Sequence, residues 1–207
     1  MISILRFRNA VTAAAVAAAL GAMPATAHEN HAQHASKAAA QSQQSARVNL
    51  AETPVVDQDG RSVRFRSDVI GERIAIVGFI YTSCTTVCPV VSAMLAQTQA
   101  KLGSRAGRDV KLVTVTVDPL RDTPARLKEH AKQHGAGPGW TLVTGAKTQV
   151  DEVLKAFGAY TPNFTDHPPV VFVGDAKAGK WMRFYGFPSP DQLMNAVGEL
   201  TAARNAG

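Results

Sequence analysis

The stretch "RIAIVGFIYTSCTTVCPVV", residues 73–91, contains Cys84 and Cys88, the only two cysteines of the 207-residue chain. Its first part, residues 73–81, is apolar and β-branched almost throughout, which is typical of a strand buried on both faces. Pro89 is typical of the first helical turn, where a missing N–H costs no intrahelical hydrogen bond. The stretch therefore predicts a buried strand, a cysteine loop and a helix whose first turn holds Cys88.

Segments of strand-like and helix-like pattern alternate through the rest of the chain from Leu50 onward. One face of the first helix is expected to be buried through Val90, Val91, Met94, Leu95 and Leu102. The other predicted elements are a hairpin over 53–65 with its turn at Asp59 and Gly60, strands over 110–118, 140–145, 169–175 and 180–187, and helices over 123–134, 148–157 and 190–203.

The order of these elements predicts an α/β fold. Strands that alternate with helices, followed by a late hairpin, are typical of a mixed central sheet with helices on both sides. Residues 50–207 are long enough for one such domain. The fold class predicted is thus a mixed α/β sheet with an extra N-terminal hairpin and a late hairpin.

Residues 1–27 have the pattern of a secretory signal peptide. Arg6 and Arg8 are the basic part, an Ala-rich apolar stretch follows, and "ATA" at 25–27 matches a cleavage site. An uncleaved membrane anchor is the alternative. Either form predicts export to an oxidising compartment such as the periplasm, where two neighbouring thiols form a disulfide unless they are reduced or bind a metal.

Residues 28–49 are rich in Ala, Gln and Ser and contain no aromatic residue. This composition predicts a flexible arm, because it cannot bury enough apolar surface to offset its ordering entropy. His28, His31 and His34 recur at every third position within the arm. They are interpreted as part of a solvated tail or as an auxiliary collector of copper or zinc.

The net charge of +6, from 22 Lys and Arg against 16 Asp and Glu, gives a basic protein. The basic residues are scattered rather than clustered with aromatic residues, so nucleic acid is excluded as an expected partner.

Three chemistries could use the cysteine pair: a structural disulfide, an exchanging dithiol or a soft-metal site. A disulfide across so short a loop contributes only about 2 kcal/mol by the chain-entropy argument, so a static staple is the weakest interpretation. A helix N-terminus stabilises thiolate over thiol, and at least one of Cys84 and Cys88 is expected to be unusually acidic.

The segments "YTSCTTVCP", "VTVDPLRDTPARLKEHA" and "WTLVTG", together with Asp166 and His167, resemble the Sco/SenC family. The resemblance spans about Thr53 to Leu200. It implies a thioredoxin-like fold, copper binding, and an association with the assembly of cytochrome c oxidase.

The resemblance also implies a site for copper, as Cu(I) or Cu(II), made by Cys84, Cys88 and His167, with Asp118 and Asp166 around it. Two thiolates and one imidazole suit Cu(I) by their softness, whereas structural zinc would need a fourth protein ligand. Two departures from the family pattern are the "TTV" between the cysteines, which lacks Pro-Asp, and the Pro-Pro after His167.

The function implied is that of a periplasmic copper metallochaperone that supplies the dinuclear copper centre of cytochrome c oxidase. The implied partners are the copper-centre subunit of that oxidase, other periplasmic copper chaperones or thioredoxin-like reductants, with a membrane reached only through a partner or an uncleaved anchor. Two alternatives remain: a thiol-disulfide oxidoreductase with Cys84 and Cys88 as its redox-active pair, and a copper or redox sensor.

Four further polar residues are predicted to lie outside the site. His130 and His134 are four apart in "KEHAKQHG", whose polarity is typical of the solvated outer face of a helix. Arg121 and Asp122 are expected to fix their loop by a local ion pair.

Overall fold

The computed structural model describes residues 43–206. The predicted signal peptide and the histidines at positions 28, 31 and 34 lie outside these described residues. Within residues 43–206 no helix combines the length and the hydropathy that a membrane span requires.

The strands of the described chain form one mixed sheet. They are β1 (Gln43–Ala46), β2 (Pro54–Asp57), β3 (Ser62–Arg64), β4 (Ile74–Ile80), β5 (Val110–Thr116), β6 (Trp140–Thr144), β7 (Val170–Asp175) and β8 (Lys180–Tyr185). Their order across the sheet is β1-β8-β7-β4-β5-β6-β2-β3. Strand β4 is buried along its whole length, as its apolar sequence predicts.

The strand directions bring the ends of several strands together. Strands β4, β5 and β6 are parallel, and β7 is antiparallel to both β4 and β8. Consequently β4, β5, β6 and β8 all end at the edge where β7 begins. We call this the site edge, because the cysteine loop follows β4 there.

Helices cover both faces of the sheet, as the sequence predicts. They are α1 (Val87–Leu102), α2 (Pro124–Gln133), α3 (Lys147–Phe157) and α4 (Pro190–Asn205). Helices α1, α2 and α4 bury apolar residues on one face. Helix α3 and a π-helical turn at Phe65–Ile70 do so on the other. Thr123 caps α2 by accepting a hydrogen bond from the Arg126 amide.

Gly78 allows α1 to lie close to the sheet. A Cβ at this position would come within 3.1 Å of the Leu95 side chain, tighter than an ordinary van der Waals contact. The close approach places the first turn of α1, with Cys88, directly beyond the end of β4.

Two predictions are wrong in detail. Residues Gln43–Ala46, assigned to the flexible arm, pair with β8, because backbone hydrogen bonds to an otherwise open sheet edge need no apolar side chains. Val90, assigned to the buried face of α1, is 48% exposed, because the helix begins at Val87 and turns Val91 and Leu95 toward the sheet.

Candidate metal centre

The two cysteines lie side by side at the site edge. Cys84 is in the loop after β4, and Cys88 is the second residue of α1. Both thiols are free, and they are 8% and 1% exposed respectively. The Cys88 amide donates a hydrogen bond to Cys84 Sγ at 3.4 Å, and Thr86 Oγ1 lies 3.8 Å from the same sulfur. The first helical turn therefore directs its donors at Cys84.

The two thiols differ strongly in acidity. Burial raises the pKa of Cys84, but hydrogen bonds from the Cys88 thiol, the amides of Cys88 and Thr86 and the Thr86 hydroxyl outweigh burial and lower it to about 6. Burial, reinforced by the neighbouring Cys84, raises the pKa of Cys88 to about 12. The prediction of one unusually acidic thiol is confirmed, and that thiol is Cys84.

Asp122 holds the start of the cysteine loop, a role that the sequence did not predict. Its buried carboxylate accepts hydrogen bonds from the Thr82 amide at 3.1 and 3.2 Å and from the hydroxyls of Thr82 and Thr116. The carboxylate thereby ties the ends of β4 and β5 together. Hydroxyl residues at or just beyond the ends of two neighbouring parallel strands, Thr116 of β5 and Thr82 after β4, were the available signal for such a link.

The predicted ion pair of Arg121 with Asp122 is wrong, because Arg121 pairs with Asp118 instead. Arg121 donates to the Asp118 carboxylate at 2.9 Å, and its guanidinium lies 5.3 Å from the centre of the Phe164 ring. Asp118 is buried just beyond β5 at the site edge. Its carboxylate thus serves to hold Arg121 over Phe164.

His167 is buried at the site edge, three residues before the start of β7, and is 8% exposed. Its Nδ1 donates a hydrogen bond to the Pro168 carbonyl at 3.0 Å, because a carbonyl oxygen can only accept. Burial lowers the pKa of His167 and so favours the neutral ring, in which Nε2 keeps a free lone pair. That Nε2 is buried and has no hydrogen-bond partner.

Tyr81 lies against both His167 and the cysteines. Its ring is edge-on to the His167 ring with centroids 6.3 Å apart, and its side chain packs against the core cluster that contains Cys84 and Cys88. Among the described residues, no three His, Cys, Asp or Glu side chains form a preassembled metal cluster. The structure therefore brings Cys84 and Cys88 together and places His167 at the same edge, beside Tyr81.

Asp166 lies in an exposed 3₁₀ turn, Phe164–Asp166, at the site edge. Its carboxylate lies 3.4 Å from the Thr165 hydroxyl, which donates its proton to the Asn163 side chain at 2.9 Å. Asp166 therefore lies at the surface of its turn.

The interpretation of His130 as a solvated residue is wrong. His130 is 7% exposed, and its Nε2 lies 2.9 Å from the Ser92 hydroxyl of α1. Burial, with the His134 ring 4.4 Å away, lowers the pKa of His130 to about 4. Helix α2 turns Leu127, His130 and Ala131 inward, so the polar neighbours of His130 in sequence cover the outer face alone. His134 is half-buried.

The sheet is mixed and has helices on both faces, and a free dithiol lies where the first of its parallel strands meets a helix. These features define a thioredoxin-like domain with a dithiol site. The model of the SCO1/SenC family matches residues 42–200. The chain therefore belongs to the SCO1/SenC family.

Individual relatives agree with this assignment. Protein SenC of Rhodobacter capsulatus is 31% identical over 153 residues, which cover 70% of this chain and 66% of SenC. The crystal structure of Arabidopsis thaliana ScoI with copper bound shares the fold with a TM-score of 0.61 at 22% identity, covering 73% of this chain and 98% of ScoI. BsSco, described as a member of the Sco family of cytochrome c oxidase assembly proteins with a disulfide switch, has a TM-score of 0.61 at 24% identity, covering 75% and 95%.

Proposed function

We propose that this protein is a periplasmic copper metallochaperone. In this proposal Cys84, Cys88 and His167 bind copper, and the copper is delivered to, or used in the maturation of, the dinuclear copper centre of cytochrome c oxidase. Family membership supports the proposal, as do the copper bound to ScoI and the assembly role described for BsSco.

The observation that carries the proposal is the free lone pair on the buried Nε2 of His167. A buried polar atom without a partner costs about 1 to 3 kcal/mol, so a structural histidine is normally hydrogen-bonded. Ligand histidines typically donate their other N–H to a carbonyl, which fixes the tautomer, and His167 does this to Pro168. Its ring is therefore in the state that a metal ligand requires.

The donor set suits copper and its transfer. Cys84 supplies a thiolate at neutral pH, since its pKa is about 6, and metal binding would displace the proton of Cys88. Two soft sulfurs and one imidazole favour Cu(I). A set of only three ligands leaves room for an incoming ligand of an acceptor protein, so copper can leave by ligand exchange.

The test is a Cu(I) titration of the fully reduced protein against a competing chelator. We expect one copper per chain. We expect His167→Ala to lower the affinity for Cu(I) roughly 100-fold, because removal of a group that only supports a metal ligand can already lower the affinity by that factor. His134→Ala is the matched control, because it removes a half-buried imidazole away from the thiols. A stoichiometry well below one, or an affinity unchanged in His167→Ala, would contradict the proposal.

The split between the two thiol pKa values favours a second function, thiol-disulfide exchange. A thiol with a pKa of about 6 attacks a target disulfide as thiolate, and a buried partner with a pKa of about 12 stays protonated until it resolves the mixed disulfide. An oxidoreductase would keep the copper-ligand cysteines of a partner reduced.

The two functions separate at His167. For an oxidoreductase, Cys88→Ser traps a mixed disulfide through Cys84, and His167→Ala retains the exchange rate. A trapped complex combined with full activity of His167→Ala in cells would favour exchange over copper delivery.

A further inference from the structure

The large apolar side chains that remain exposed are concentrated at one edge of the molecule. Within residues 43–206 there are four of them, which we call the apolar rim: Val90, Leu120, Tyr185 and Phe187. Val90 is the fourth residue of α1, Leu120 lies in the loop after β5, Tyr185 ends β8 and Phe187 is two residues further on. All four therefore lie at the site edge. Single exposed hydrophobic residues are ordinary, but several at one edge indicate an interaction surface.

The strand order places the cysteine loop among these side chains. The neighbouring strands are β8, β7, β4 and β5 in that order, and the cysteine loop follows β4. Leu120 follows β5 on one side of the loop. Phe187 follows β8 on the other side, where the Gly186 amide donates to the Pro169 carbonyl at 2.9 Å, two residues from His167. The ends of β5 and β8 are about 14 Å apart at the usual strand spacing, so the apolar rim flanks the dithiol on both sides.

The exposed face of α1 beside the cysteines carries no charge. Its exposed residues up to position 100 are Val90, Ala93, Gln97 and Ala100. The outer face of a surface helix is normally charged. Helix α2 follows this rule with the exposed residues Arg126, Lys128, Glu129 and Lys132. Depletion of charge is characteristic of the centre of a protein–protein interface, so α1 extends the surface that the apolar rim begins.

The two sulfurs are recessed within this surface. Cys84 is 8% exposed and Cys88 is 1% exposed, so a ligand of another protein can reach a copper ion held there only when the surfaces around the recess touch. We propose that the apolar rim is the docking surface for the protein that accepts copper, a folded domain with an apolar, uncharged face around its own copper ligands. This inference rests on the proposed copper function and adds to it the residues that recognise the partner.

The size of the apolar rim favours a transient partner over a second copy of this chain. The four partly exposed side chains offer roughly 400 Å² of apolar surface, if a whole aromatic side chain is taken as about 200 Å². A stable interface buries about 800 Å² on each partner. The smaller area suits a complex that must dissociate after each transfer.

The charges beside the apolar rim disfavour an anionic membrane as the occupant. Arg121 and Lys147 line the same cavity as Leu120, and each is paired with an aspartate. Membrane surfaces attract clusters of basic residues whose charge is not neutralised in this way. A protein partner therefore fits this edge better than a membrane.

Copper transfer provides the first test. The probe is the purified soluble copper-centre domain of the cytochrome c oxidase of the same organism, reduced and free of copper. Leu120→Asp and Phe187→Asp should each slow transfer from the Cu(I)-loaded protein roughly 10-fold at low probe concentration, because each places a charge in the contact. Phe187→Leu keeps an apolar side chain and should retain most of the rate. All three variants should bind Cu(I) as the wild type does.

The matched control for the added charge is Ala203→Asp. Ala203 is exposed in the last turn of α4, where the next residue, Arg204, pairs with Asp175 at the end of β7. This position lies at the edge of the sheet opposite the site edge, so the transfer rate should not change. Melting temperatures close to that of the wild type identify the variants that have kept their fold.

A binding titration provides the second test and needs no copper. The backbone amide signals of the apolar rim in the NMR spectrum of the metal-free protein should shift when the same probe is added, and Leu120→Asp should weaken binding roughly 10-fold. Sedimentation of the protein alone, and with vesicles of phosphatidylglycerol and phosphatidylethanolamine, tests the other two occupants. The protein should remain monomeric and should not bind the vesicles.

The outcomes separate this inference from the function on which it rests. A wild-type protein that takes up no Cu(I) would overturn the copper function and the docking role together. Normal Cu(I) binding, with a transfer rate that Leu120→Asp and Phe187→Asp both leave unchanged, would overturn the docking role alone. Self-association or vesicle binding that these substitutions abolish would also overturn it. Slower transfer in both variants at unchanged Cu(I) affinity would support it.

Discussion

Two buried histidines lie in different regions of this molecule and differ in one respect. His130, between α2 and α1, is 7% exposed, and His167, at the site edge, is 8% exposed. Burial lowers the pKa of both rings. The Nε2 of His130 is hydrogen-bonded to Ser92 at 2.9 Å, whereas the Nε2 of His167 has no partner.

The comparison shows that burial does not by itself distinguish a structural histidine from a candidate ligand. The difference lies in the hydrogen-bond partner of the second nitrogen. The contact satisfies both the Nε2 of His130 and a buried serine hydroxyl, so it should contribute to stability. The unpartnered lone pair of His167 lowers the stability of the metal-free protein. Such a cost is expected only where a ligand or a metal ion binds to the lone pair.

The largest expected effect is the loss of stability in His130→Ala. The substitution leaves a cavity between α2 and α1 and strands the buried Ser92 hydroxyl, so the free energy of unfolding should fall by about 3 kcal/mol. Urea denaturation measures this change. His134→Ala, at the half-buried C-cap of the same helix, should cost less than about 1 kcal/mol. Equal losses in the two variants would contradict a structural role for the contact with Ser92.

The pH dependence of stability is the next effect in size. The folded-state pKa of His130 is about 4 against an ordinary 6.5, so between these values the unfolded chain binds a proton that the folded protein excludes. Stability from this group is therefore complete above pH 6.5 and is lost as the pH falls toward 4. Between pH 7 and pH 5 the loss should be about 2 kcal/mol.

The matched variant for this pH effect is His130→Gln, which has no proton to bind in this range. Urea denaturation at several pH values should show a clearly smaller slope for His130→Gln than for the wild type. The same slope in both proteins would mean that the buried imidazole is not the group responsible.

The smallest effect has the opposite sign and concerns His167. His167→Leu removes a buried, unpartnered nitrogen, and the Pro168 carbonyl that it releases belongs to an exposed residue. The metal-free protein should therefore gain about 1 kcal/mol in its free energy of unfolding. His130→Leu, by contrast, should lower stability because Ser92 loses its partner. A destabilised His167→Leu would remove the distinction between the two histidines.

Much of the fold could be predicted because its signals are local. The apolar run of β4 and the Thr123 cap of α2 specify their elements directly in the sequence. The failures occurred where a distant segment decided the outcome. Gln43–Ala46 have no strand-like pattern and pair because β8 offers an open edge. His130 has polar neighbours on its own helix, and its burial depends on where α1 lies.

The candidate site could be predicted in part for the same reason. Cys84 and Cys88 are close in sequence, so their contact follows from one loop and one helical turn. His167 was assigned through resemblance to a family. The link from Asp122 to Thr82 and Thr116 joins segments that are distant in sequence. The placement of Tyr81 depends on packing at the site edge. No single local pattern encodes these contacts.

The sequence alone determined that this chain has a buried strand leading into a cysteine loop, a helix whose first turn holds the second cysteine, and alternating strands and helices, because these features depend on neighbouring residues. Only the tertiary structure decided that Cys84 is the acidic thiol, that His167 is buried with a free nitrogen beside Tyr81, and that His130 is hydrogen-bonded to Ser92. The physical reason is that burial and hydrogen-bond partners are properties of packing, and packing depends on residues that meet only when the whole sheet is assembled.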